Sequence, residues 1–176
     1  MKLLIKNIPN ILTSIRILLT PFILYFTIKQ DIKTAVILII IASITDFFDG
    51  LIARNFNLIS KFGATLDTIS DKLFAGCLII ALIFKNSLFL LSLIGEIIIS
   101  IINVYAFAFK KNPATKYIGK IKTTLLFITI SLGYISIINK DFIIYTNILI
   151  IISFILQLFS ILTYFNHTIN YKKVTP

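Results

Sequence analysis

The chain has 176 residues, 58% of them hydrophobic, and a mean hydropathy of +1.00. A soluble domain of this size cannot bury that much apolar surface, so most of it must face lipid. Seventeen Lys and Arg against seven Asp and Glu give a net charge of +10, a balance that would suit nucleic acid, but the placement of the charges argues for a membrane instead.

A helix needs roughly 20 mostly apolar residues to cross a bilayer. Six stretches qualify, at 8–29, 33–54, 67–84, 87–109, 119–139 and 142–165. The runs are continuous and do not alternate, which favours helices over a β-barrel. The expected fold is an all-α integral membrane bundle of six transmembrane helices, a single domain over 1–176 with no soluble module. The opening MKLLIKNIPN has the basic start of a secretory leader. Pro9 and Arg16 interrupt that pattern and no A-x-A-like cleavage site follows, so it reads as a short amphipathic approach to the first span. Arg16 lies two turns inside that span, where solvation is a poor account of a charge; a phosphate or carboxylate partner is expected. Cys77, the single cysteine, sits in an apolar run and reads as a structural thiol. The single histidine, His167, falls near the C-terminus as an interfacial or tail residue.

With the N-terminus inside, Lys2, Lys6, Arg54, Lys61, Lys110, Lys111, Lys116, Lys120, Lys122, Lys172 and Lys173 fall on the cytoplasmic side. Only Lys29, Lys33, Lys85 and Lys140 fall outside, and Arg16 and Lys72 lie within spans. This bias predicts a multi-pass protein of the inner (cytoplasmic) membrane with both termini in the cytoplasm. The same clusters attract anionic headgroups or phosphorylated substrates. Tyr117, Tyr164 and Tyr171 suit an interfacial aromatic belt.

The acids carry more information. Asp31 and Asp141 fall in external loops, whereas Asp46, Asp49, Asp67, Asp71 and Glu96 lie within or at the edges of apolar segments. An Asp at a bilayer centre costs roughly 2.5–3.5 kcal/mol, and less near the interface. Asp46 and Asp49 are spaced i, i+3 near the end of the second span; Asp67 and Asp71 are spaced i, i+4 at the start of the third. Each pair therefore shares a helix face. The connection at 55–63 is short, so the two helices are expected to be antiparallel neighbours, with both pairs converging at the cytoplasmic end. Hard oxygen ligands in that number suit Mg²⁺, Mn²⁺ or Ca²⁺, and there is no Cys/His cluster for zinc.

From Asp46 to Asp71 the chain reads DFFDGLIARNFNLISKFGATLDTISD, which is D-x2-D-G-x2-A-R-x8-G-x3-D-x3-D. This resembles the signature of the CDP-alcohol phosphatidyltransferase family at all eight fixed positions. A chance match is on the order of 10⁻¹⁰ per starting position at average residue frequencies. Gly50 and Gly63 would let a nucleotide approach the backbone closely, Ala53 keeps that face uncluttered, and Arg54 offers a planar fork for phosphate. Small residues at these places also serve helix packing in membranes.

The resemblance implies a phospholipid-synthesising enzyme that moves a phosphatidyl group from CDP-diacylglycerol to a small alcohol and releases CMP. It implies that Asp46, Asp49, Asp67 and Asp71 hold two divalent ions, Mg²⁺ or Mn²⁺, and that Asp71 is also the general base. It places Gly50, Ala53, Arg54, Gly63 and Asp67 around the CDP-lipid, and it suggests a homodimer among membrane lipids, with no nucleic-acid partner.

The opening NIPNILTSIRILLTPF, the DKL that includes Asp71, and GKIKTT at 119–124 resemble family members whose acceptor is glycerol 3-phosphate. Asn10, Thr13, Arg16, Lys120 and Lys122 are then the candidate acceptor residues, although the positive-inside bias also accounts for the lysines. Those members usually carry Arg-Glu in the fourth span. This chain has Gly95-Glu96. Glu96 is expected to form an ion pair, with Arg16 or Lys72 as candidates, or to touch the acceptor. Other acceptors remain open: phosphatidylglycerol giving cardiolipin, inositol phosphate, or serine. The reading from a different class is a cation transporter. Transporters place such acids near the midplane, whereas here they gather at one end of the helices beside Arg54 and two spaced glycines.

Overall fold

The computed structural model describes the backbone of residues 2–55, 61–108 and 116–170. Side chains are described for residues 11–46, 48, 51–52, 63, 65–105, 119 and 121–163. The described chain is helical throughout. In order it comprises α1 (Lys2–Ile28), α2 (Ile32–Asn55), α3 (Lys61–Ile83), α4 (Phe89–Ala108), α5 (Lys116–Ile138), a short 3-10 turn (Lys140–Phe142) and α6 (Ile143–Asn170). Six helices stand where six spans are expected.

Two helices begin six residues earlier than the sequence reading has them, and α6 runs on to Asn170. The N-terminal approach is not a separate element, because the helix runs unbroken from Lys2 through Pro9. Proline near a helix start removes one backbone hydrogen bond, and membrane helices tolerate the loss. The third helix begins at Lys61 rather than 67. Gly63, Asp67 and Asp71 therefore all occupy its first three turns, while Asp46, Asp49, Gly50, Ala53 and Arg54 lie in the last three turns of α2.

The helix junctions are built from local polar groups. At the end of α1 the Asp31 amide donates to Phe26 O at 3.0 Å and the Gln30 amide to Thr27 O at 3.2 Å. This is the Schellman arrangement, and its left-handed position is Gln30, at φ 67°. Asp31 then opens α2 by accepting from the Thr34 amide at 3.2 Å and from the Thr34 hydroxyl at 2.7 Å. Asn139 caps the 3-10 turn by accepting from the Asp141 amide at 2.9 Å.

The chain divides into two compact units, Met1–Phe84 and Lys85–Pro176. In the first, α1 packs against both α2 and α3. Its inward stripe is Thr13, Arg16, Thr20, Ile23 and Thr27, a heptad-like spacing that faces Ala35 and Ala42 of α2 and residues such as Ser70, Phe74 and Leu78 of α3. Among the described residues, α2 and α3 meet chiefly through α1 rather than directly as expected. In the second unit α6 takes the corresponding place between α4 and α5. Thr146, Ser153, Gln157 and Ser160 form its buried stripe. Small and hydroxylated residues let membrane helices approach closely, and Thr20, Thr27, Thr146 and Ser160 each donate to a carbonyl one turn back.

Large apolar side chains point outward from every helix, among them Leu18, Ile37, Leu73, Ile101, Ile128 and Ile155. Among the described residues, Ile11–Ile28, Ile121–Ile138 and Lys140–Thr163 are long and apolar enough to cross a membrane, and Phe89–Tyr105 is apolar but shorter. In α3, Asp67, Asp71 and Lys72 interrupt the apolar run. This is a membrane protein by its surface: apolar faces this extensive are stable only against lipid.

Candidate active site

The acids of α2 and α3 converge because α1 supplies a cation between them. Arg16 is 1% exposed. Its Nη1 donates to Asp71 Oδ1 at 2.7 Å and also to Asp46 Oδ1; Nη2 donates to Asp67 Oδ1 at 2.8 Å; Nε donates to Ser70 Oγ at 3.1 Å. Oxygens of Asp46, Asp67 and Asp71 all lie within 4.8 Å of one another. The three carboxylate side chains are 49%, 46% and 50% exposed. The guanidinium is thus enclosed while the carboxylates keep open faces. Three carboxylates gather on one guanidinium, at a place where all the donors are hard oxygens. That combination can hold a divalent cation, and it offers nothing to a soft metal.

Arg16 was expected to find a phosphate or carboxylate, and the structure gives it carboxylates. Thr13 is buried one turn earlier on the same face, and Gly63 lies one turn before Asp67. The side chains of Asn10, Asp49, Ala53, Arg54 and Lys120, and the surroundings of Gly50, lie outside what the structure describes.

A second polar cluster lies in the other unit. Lys122 Nζ donates to Glu96 Oε1 at 2.6 Å, and Gln157 Nε2 donates to the same oxygen at 3.0 Å and to Ser92 O at 3.3 Å. Glu96 therefore does form an ion pair, but its partner is Lys122 of α5 rather than Arg16 or Lys72. The geometry also accounts for Gly95. A Cβ at that position would lie 2.1 Å from Gln157 Oε1 and 2.7 Å from Gln157 Cδ. Gln157, wholly buried, occupies the space that a side chain at 95 would need.

The sequence also matches known proteins. The sequence model of CDP-alcohol phosphatidyltransferases matches residues 6–164. The chain belongs to the CDP-alcohol phosphatidyltransferase family. It is similar to the CDP-diacylglycerol--glycerol-3-phosphate 3-phosphatidyltransferase of Rickettsia felis, with 40% identity over 134 residues, 72% of this chain and 74% of the relative. Proteins of the same name from Aquifex aeolicus and Escherichia coli are 33% identical over 168 residues (90% of this chain, 93% of the relative) and 32% identical over 129 residues (67% and 71%).

In this phosphatidyltransferase the signature segment 46–71 therefore spans the C-terminal end of α2 and the N-terminal end of α3. Sequence reasoning passed over two residues. Ser70 looks like an ordinary small residue until Arg16 Nε is found on it. Gln157 did carry a signal, as the only amide in the apolar run 148–159. A polar group at that depth calls for a partner.

Proposed function

We propose that the chain transfers a phosphatidyl group from CDP-diacylglycerol to glycerol 3-phosphate, releasing CMP and forming phosphatidylglycerophosphate. One observation carries the reading: three of the four signature carboxylates, drawn from two helices, gather their oxygens within 4.8 Å. The opening segment, the basic 119–124 stretch and the names of the relatives support glycerol 3-phosphate as the acceptor.

The residues fit a divalent metal, since they offer clustered carboxylates with open faces. We assign Asp46, Asp49, Asp67 and Asp71 as the ligands of Mg²⁺ or Mn²⁺, in two ions. Bound there, such ions would neutralise the diphosphate of the CDP-lipid and fix its orientation. Arg54 grips a phosphate of the same substrate, with Gly50, Ala53 and Gly63 keeping the nucleotide's approach clear. Asp71 accepts the proton of the acceptor hydroxyl. The acceptor oxygen forms its bond to the lipid-side phosphorus as the bond to CMP breaks, so atoms and charge balance without a further reactant. Positioning and charge neutralisation supply most of the acceleration in such transfers. Asn10 and Thr13 of α1 are assigned to the acceptor on hydrogen-bonding capacity, since Arg16 and Lys122 are already bonded to carboxylates.

The same reading has six membrane crossings, both termini and the acid cluster on the cytoplasmic side of the inner membrane, and a homodimer. Glycerol 3-phosphate labelled in its carbon skeleton, supplied with CDP-diacylglycerol and Mg²⁺, must yield a labelled lipid and stoichiometric CMP. CMP release that requires serine, inositol phosphate or phosphatidylglycerol instead would replace the acceptor while keeping the chemistry. Ion flux in liposomes without any CMP release would end the enzymatic reading.

A further inference from the structure

The carboxylate cluster is not held by its own helices alone. Arg16 meets Asp46, Asp67 and Asp71, each through its Oδ1 atom, and its Nε is tied to Ser70. A guanidinium carries five N–H donors in one plane, so it can hold several oxygens at hydrogen-bond distance. A Mg²⁺ ion needs its oxygens at about 2.0–2.1 Å and takes them in near-octahedral order. The Oδ1 atoms of Asp67 and Asp71 already lie 2.8 and 2.7 Å from Arg16 nitrogens. A divalent ion bound to those oxygens would stand beside the guanidinium, two cations competing for the same lone pairs.

We infer that Arg16 is an internal counter-cation: it holds Asp46, Asp67 and Asp71 together when no divalent ion is present and yields their oxygens when one enters. The inference rests on the metal-binding reading of this cluster. Without any cation, three carboxylates this close would repel one another and part. With Arg16 in place their oxygens remain gathered, and the cluster stays ready for an ion. The exposure of the carboxylates gives the ion an approach that does not pass through the buried guanidinium. Because Arg16 touches the proposed ligands rather than reacting atoms in this arrangement, it is a positioning residue. Its role has a distinctive sign: removing a competing positive charge tightens metal binding, whereas removing a purely structural support would loosen it.

The experiment uses the full chain in lipid nanodiscs, stripped with a chelator and titrated with Mn²⁺, which shares the preference for hard oxygen ligands. Free Mn²⁺ is read by electron paramagnetic resonance, and the melting temperature is followed alongside. Arg16→Gln is expected to bind Mn²⁺ at least tenfold more tightly than the unaltered protein. It is also expected to melt lower in chelator, with the gap closing as Mn²⁺ is added. Equal or weaker Mn²⁺ binding by Arg16→Gln overturns the inference. If Arg16→Gln does not fold in either condition, Ser70→Ala decides. Loss of the Nε anchor should then tighten Mn²⁺ binding severalfold, and unchanged or weaker binding overturns the inference. Failure of the metal reading itself looks different: the unaltered protein, Arg16→Gln and Asp67→Asn would all fail to bind Mn²⁺, and both ideas would fall together.

Discussion

Replacing Gly95 with alanine adds one methyl group where Gln157 already lies. The new Cβ would sit 2.1 Å from Gln157 Oε1, 2.7 Å from Cδ and 3.2 Å from Cβ. The first two distances are far inside van der Waals contact, so Gln157 must move. It is fully buried, and its Nε2 serves both Glu96 Oε1 and Ser92 O. Displacing it loses two hydrogen bonds, each worth about 0.6 kcal/mol on average inside membrane bundles and up to about 1.7. Overpacking in a well-filled interior adds about 1–3 kcal/mol. Gly95→Ala should therefore destabilise the protein by roughly 2–4 kcal/mol, set by the sum of these two effects. Reversible unfolding in mixed micelles of mild detergent and dodecyl sulfate measures it. The decisive comparison is the cycle with Gln157→Ala. Once Gln157 is truncated the added methyl has room, so the double variant should resemble Gln157→Ala alone, with a coupling as large as the Gly95→Ala effect itself, roughly 2–4 kcal/mol. Additive single effects would refute the steric account of Gly95.

Asp71→Asn should remain folded and membrane-inserted while CMP release falls by about 10²–10⁴-fold, the range expected for a lost general base; near-normal turnover would remove Asp71 from that role. Lys122→Met leaves Glu96, only 20% exposed, without its ammonium partner. The expected loss is about 3–5 kcal/mol, largely recovered by adding Glu96→Gln, and the same unfolding assay reads both. Gln30→Gly should raise the melting temperature, because Gln30 holds φ 67° and an L-residue in that region costs roughly 1–2 kcal/mol. The Thr34 hydroxyl, followed by its amide, holds the Asp31 carboxyl below the ordinary carboxylate range. Its folded pKa is depressed, so its contribution is complete above the unfolded value and is lost as pH falls through the folded one. The difference in melting temperature between Asp31→Ala and the unaltered protein should accordingly be present at neutral pH and shrink as the pH falls below the ordinary carboxylate range.

Hydropathy alone located the six helices, with most ends within three residues but the starts of α1 and α3 and the end of α6 five or six residues short, because apolarity marks the lipid-facing stretch and not the polar turns that extend it. The acids were legible for the same reason. A carboxylate inside an apolar run is costly enough that its position reports chemistry. The signature spacing from Asp46 to Asp71 then identified the family before any distance was known. Arg16 was marked as a buried cation in need of an anion, and Glu96 as one member of an ion pair.

The partners were decided only by tertiary structure. Helical periodicity tells which residues share a face, not which helix that face meets. The sequence reading joined α2 to α3 directly, whereas α1 packs against both and inserts Arg16 among their carboxylates. Lys122 and Gln157 reach Glu96 from positions 26 and 61 residues away. The space above Gly95 is defined by a side chain on another helix. Lipid selects apolar surface whatever its neighbours, so a sequence can record which segments enter the membrane. Side-chain pairing depends on which helices dock within each unit, and packing between helices rather than local sequence decides that.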